Sequence, residues 1–103
     1  MIYNEITVRR RNYSILDFQK LFSRLLIDND YYIKDSSSYG SKDSLTILYG
    51  IGKNDKEGKE LLRFIFKKVN ENGIVTFVTN EKDIIGMIGD YFYPDSKTKR
   101  EEN

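Results

Sequence analysis

At 103 residues, with 17 basic and 16 acidic side chains and neither histidine nor cysteine, the chain is sized for one domain and carries almost no net charge. Those numbers exclude a disulfide scaffold, a His- or Cys-ligated transition-metal site and the catalytic dyads built on either residue. They also exclude a uniformly basic or acidic surface, so any electrostatic site has to be a local patch.

The first element is a strand. From Ile2 to Arg10 the pattern alternates, with Ile2, Ile6 and Val8 on one side and Tyr3, Glu5, Thr7 and Arg9 on the other, which describes a strand with one wet face. Ser14 then opens a helix, because Ser14 and Asp17 form an acidic capping box and Ile15, Phe18, Leu21, Phe22, Leu25 and Leu26 recur at helical spacing. Asp28-Asn29-Asp30 ends it, since acids oppose the dipole at a helix C-terminus. Tyr31 to Lys34 and Leu45 to Ile51 read as two strands of a hairpin with a polar tip over Ser36 to Ser44.

Gly50-Ile51-Gly52-Lys53 leads into a predicted second helix, capped by Asn54 with Glu57, buried through Leu61, Leu62, Ile65, Phe66 and Val69, and closed by Gly73. Ile74 to Thr79 is β-branched and reads as a strand. Asn80 with Asp83 caps a predicted third helix that carries Ile84, Ile85, Ile88 and Phe92 and stops at Pro94. The expected order is β-α-β-β-α-β-α. It places the chain in the α+β class, as a ferredoxin-like split β-α-β-β-α-β arrangement with an extra C-terminal helix. A winged-helix variant, with Tyr31 to Ile51 as the wing, is the alternative. One domain is expected over 1–94 and a flexible polar tail over 95–103, which contains no hydrophobic residue.

Chemistry-bearing motifs are few. Gly50-x-Gly52-Lys53 lacks the Walker A spacing, and Asp55 stands where a dinucleotide fingerprint needs its third glycine, so a tight turn is the simpler reading. Asp28, Asp30, Asp35 and Asp43 match no cation-binding loop and read as turn residues. No catalytic residue, metal or cofactor is assigned, and a non-enzymatic protein is expected. Ser44 to Tyr49 lacks the K/R-G-F/Y-G/A-F-V-x-F/Y run of base-stacking sheets, so Tyr49 and Phe77 are expected in a core or a dimer seam.

The sharpest positive feature is Arg9-Arg10-Arg11 at a strand end. Three arginines there can grip phosphates, with Tyr13 stacking nearby and Lys42 and Lys53 assisting; a solvated strand end is the plain alternative. The leading expectation is therefore a nucleic-acid-binding accessory or regulatory protein, with DNA or RNA as partner. Abundant Ile, Asn, Lys and Tyr would suit the AT-rich coding sequence of a low-GC bacterium, its phage or a plasmid. The alternative is a protein-binding inhibitor, of immunity or anti-defence type, that blocks a larger nuclease or effector through Met87, Tyr91, Phe92 and Tyr93, since Tyr and Met are enriched at interfaces. An open sheet face would also accept a second copy of the chain. The start lacks the order of a signal peptide and no apolar run approaches the roughly 20 residues of a membrane span, so a cytoplasmic location is expected.

Overall fold

A computed structural model describes residues 2–53 and 58–102, with side chains over 4–53 and 58–98. Strand β1 (Ile2–Arg11) leads into helix α1 (Ile15–Asp28). Four strands follow: β2 (Tyr32–Ser41), β3 (Ser44–Gly52), β4 (Glu60–Val69) and β5 (Asn72–Thr79). Helix α2 (Lys82–Tyr91) then leads to β6 (Ser96–Glu102). The strands form one antiparallel sheet in the order β2-β3-β4-β5-β1-β6.

This topology overturns the ferredoxin-like arrangement and the winged-helix alternative, because one helix after β1 is followed by four consecutive strands. The segment expected to be the second helix is β4. Leu62, Phe64 and Phe66 alternate into the core, while Leu61, Arg63, Ile65, Lys67 and Val69 take the opposite face. A central strand with apolar residues on both faces mimics helical spacing, and here the backbone ladders to β3 and β5 decide. The predicted Asn54/Glu57 cap lies outside the described residues. The segment expected to be a flexible tail also contains a strand: β6 pairs with β1 from Ser96 opposite Val8 to Glu102 opposite Ile2.

Local signals around α1 act as read. Ser14 Oγ accepts from the Asp17 N–H at 3.3 Å, and Asp17 Oδ2 accepts from the Ser14 N–H at 2.8 Å. The helix ends in a Schellman closure. The Tyr31 N–H donates to the Leu26 carbonyl at 2.8 Å and the Asp30 N–H to that of Ile27 at 3.1 Å, with Asp30 at φ 62° in the position glycine usually takes. At α2 the N-cap is Glu81 rather than Asn80, with no side-chain cap. Its backbone N–H donates to Thr79 Oγ1 at 3.3 Å.

Both helices cover the same face of the sheet. Phe18, Phe22, Leu25 and Leu26 of α1 and Ile84, Ile85 and Ile88 of α2 are buried with Ile6, Val8, Tyr49, Leu62, Phe64, Phe66, Val75 and Phe77 from the strands. An aromatic cluster forms the centre. The Phe22 ring lies 5.2 Å from that of Phe77 and 5.3 Å from that of Tyr49, and Phe64 meets Phe77 edge-on at 5.4 Å. Tyr49 and Phe77 are thus core residues beneath α1. Gly89 brings α2 close to β1, since a Cβ there would stand 3.2 Å from Ile6 Cδ1. The layer leaves one side of the sheet without a helix.

Candidate nucleic-acid interface

The strand register determines which side chains share the helix-free face, because residues opposite each other across a ladder project to the same side. One row across the sheet runs Tyr39, Thr46, Ile65, Thr76, Thr7 and Lys97. The next runs Ser41, Ser44, Lys67, Ile74 and Arg9, and the row on the other side runs Ser37, Leu48, Arg63, Val78 and Glu5. The Thr7 and Thr76 hydroxyls meet at 3.1 Å, which ties β1 to β5 on this face. The face is therefore a floor of threonine and half-buried Ile65, Ile74 and Val78, with Arg9, Arg63, Lys67 and Lys97 standing around it.

None of those four cations takes part in an ion pair among the described residues. From strand spacing, Arg9 is about 10 Å from Lys67 and about 8 Å from Lys97, and Lys67 is about 13 Å from Arg63. Glu5 is the only uncommitted acid on this face among the described side chains. Asp35 is held by Lys59 above Gly50, and Glu71 by Arg11 at 2.6 Å. Asp17, Asp28, Asp83 and Asp90 all lie on the two helices on the other side. The helix-free face therefore carries a local excess of basic side chains, whereas α1 and α2 mix those four acids with Lys20, Arg24 and Lys82.

The predicted arginine run divides by strand parity. Arg9 and Arg11 reach the helix-free face, as alternation requires. Arg10 takes the opposite face. It turns into the helix layer, where Nε donates to Asp95 Oδ2 at 3.0 Å, Nη1 donates to Tyr13 Oη at 3.1 Å, and the guanidinium lies 5.2 Å from the ring centres of both Tyr13 and Phe92. Arg10 and Tyr13 therefore support the fold. Lys42 lies in the β2–β3 turn at the end of the sheet that carries Lys67. The Lys68 N–H donates to the Asp43 carbonyl at 3.0 Å and anchors that turn. Lys53 is at the opposite end, its ammonium 5.0 Å from the Tyr31 ring centre. The tight turn expected at Gly50-x-Gly52-Lys53 is instead strand, since Gly50 and Gly52 lie within β3, and among the described residues the next element is β4 rather than a helix.

The residues assigned to a protein interface also separate. Phe92 is fully buried and stacks on Phe77 at 6.2 Å, so it belongs to the core. Met87 and Tyr91 are half-buried against that core, and Tyr93 is exposed. Sequence reasoning missed Arg63, Lys67 and Lys97. Their signal was the alternation of large apolar and polar residues through β4 and the polarity of β6, both hidden by the helix and tail readings.

Among the described residues no group of acidic side chains is placed to hold a metal ion, and no helix is long and apolar enough to cross a membrane. In comparisons with known proteins, no family model matches this sequence and no curated protein matches it significantly.

Proposed function

We propose that the protein is a non-enzymatic nucleic-acid-binding accessory protein that lays the helix-free face of its sheet against the phosphate backbone. The observation that carries this reading is the gathering of Arg9, Arg63, Lys67 and Lys97 on one face, none of them in an ion pair among the described residues. Such a face supplies positioning contacts to phosphates rather than base readout. Spacings of about 8 to 13 Å let each cation meet a different phosphate. Lys42 extends the patch at the hairpin tip, while Arg10 and Lys53 contribute nothing to it.

The test is a titration of the intact chain against duplex DNA, single-stranded DNA and RNA over a range of salt. Binding that weakens linearly in log affinity against log salt, and that is lost in the Arg9→Ala/Arg63→Ala/Lys67→Ala variant, supports the reading. Salt-independent binding, or full binding by the folded triple variant, refutes it.

A further inference from the structure

We propose that the nucleic acid taken by the helix-free face is single-stranded, with its bases laid along an apolar seam and one of them stacked on Tyr39. This rests on the nucleic-acid reading above and narrows its substrate class. Tyr39 is 62 % exposed, and among the described residues its ring meets no other ring and its hydroxyl no hydrogen-bond partner. It stands on β2 within Ser36 to Ser41, a run without charge. From Tyr39 the register draws a continuous seam. Leu48 is diagonal to Tyr39, Ile65 is diagonal to Leu48, and Ile74 and Val78 are both diagonal to Ile65. Diagonal neighbours lie about 7 to 8 Å apart, so these side chains follow one another from β2 to β5. Leu48 is exposed, and Ile65, Ile74 and Val78 are half-buried.

Width and charge decide the occupant. Five spacings of about 4.8 Å between the six strands make the face about 24 Å across, twice the roughly 12 Å major groove of B-form DNA. A duplex lying on this face touches it through outer phosphates, while its bases stay paired inside and leave Tyr39 and the seam uncovered. A single strand can turn its bases onto the protein, and every base offers a π-face to an aromatic ring or an apolar floor. The cations fit that placement. Arg63 and Lys67 flank Ile65 along β4, each about 12 Å from Tyr39, so phosphates run beside the seam while bases cover it. Charge also argues against a second copy laid face to face. With Asp35 held by Lys59 and Glu71 by Arg11, the cations Arg9, Arg63, Lys67 and Lys97 stand against one acid, Glu5, and a two-fold contact would set that excess against itself. Stacking reads no base edge, so binding should tolerate most sequences.

The experiment titrates the intact chain with oligothymidylate, oligouridylate, a duplex and an abasic strand of equal length. At one salt concentration both single strands are expected to bind about tenfold more tightly than the duplex or the abasic strand. Tyr39→Ala should lower single-strand affinity about tenfold and leave the slope of log affinity against log salt unchanged, because no phosphate contact is lost. Tyr39→Phe, which keeps the ring, should restore the affinity. The chain has no tryptophan, so Tyr39→Trp supplies a lone indole whose fluorescence oligothymidylate should quench and the abasic strand should not. Salt-dependent binding that is equal for all four probes and indifferent to Tyr39→Ala would overturn this inference and leave the phosphate reading standing. Absence of binding to every probe would overturn both. A dimer that Tyr39→Ala converts to monomer would overturn it too, with a second copy on the seam.

Discussion

The Arg10 guanidinium and the Asp95 carboxylate meet at 3.0 Å and join β1 to the segment between α2 and β6. The pair is partly shielded, with the two side chains 22 % and 44 % exposed, and the Arg10 stem packs beside Tyr13 and Phe92. Arg10→Ala should therefore lower unfolding free energy by about 1 kcal/mol, from lost packing as well as lost charge. Arg9→Ala, on the wet face, should change stability by less than about 0.5 kcal/mol. Nucleic-acid affinity should respond in the opposite order, falling for Arg9→Ala and holding for Arg10→Ala. Urea unfolding beside a binding titration of both variants checks the pair.

Position within the sheet, rather than charge, should rank the lysines. Lys67→Ala removes one contact from the patch and should reduce the slope of log affinity against log salt by about one. Lys53→Ala, at the far end of the sheet beside Tyr31, should leave the slope unchanged. Equal slopes for the two variants would remove the helix-free face from the proposed function.

A chain without histidine should show a broad plateau in its stability profile. Hydrogen bonds from the Ser14 backbone N–H and hydroxyl, aided by Lys20, hold the Asp17 carboxyl below the usual aspartate range. Its stabilising contribution is present above the unfolded-state value, about 3.9, and is lost as pH falls through the lower folded value. Burial pushes the Tyr49 hydroxyl above its ordinary range, opposed in part by a hydrogen bond with Gln19. That contribution is complete below the unfolded value of about 10 and is lost as pH rises through the higher folded one. Thermal melts should be level from about pH 5 to pH 9. Asp17→Asn should flatten the acid limb and Tyr49→Phe the alkaline limb.

What the sequence made legible was set by how local each signal is. The α1 cap, the buried stripe of α1 and the parity of β1 depend on neighbours within a few residues, and they appear as read. The Ser-rich stretch of β2 and all of β6 form edge strands with little apolar content, so period-two hydrophobicity was silent there. Gly73 was read as a helix terminator. It instead sits where β5 passes the Tyr13 carbonyl, too close for any side chain, after a hairpin turn with Asn70 at φ 56°. The basic face shared this fate. Arg9 was visible because β1 was, whereas Arg63 and Lys67 became neighbours only once β4 was a strand.

Two adjacent residues test that strand directly. In β4, Phe64 points into the core, in contact distance of the Phe22, Tyr49 and Phe77 rings, and is fully buried, while Ile65 faces outward between Thr46 and Thr76 and is half-buried. A helix over this segment would invert the pair, since Ile65 belongs to the apolar stripe with Leu61, Leu62, Phe66 and Val69 and Phe64 lies off it. Phe64→Ala should cost about 3 to 5 kcal/mol by leaving a cavity among the rings, enough to unfold much of a small domain. Ile65→Ala, which loses only part of its contacts, should cost about 1 kcal/mol. Chemical denaturation of the two variants, with Phe64→Leu as a milder substitute if Phe64→Ala does not fold, should therefore give the larger loss at Phe64. The reverse ranking would return the segment to a helix and separate Arg63 from Lys67.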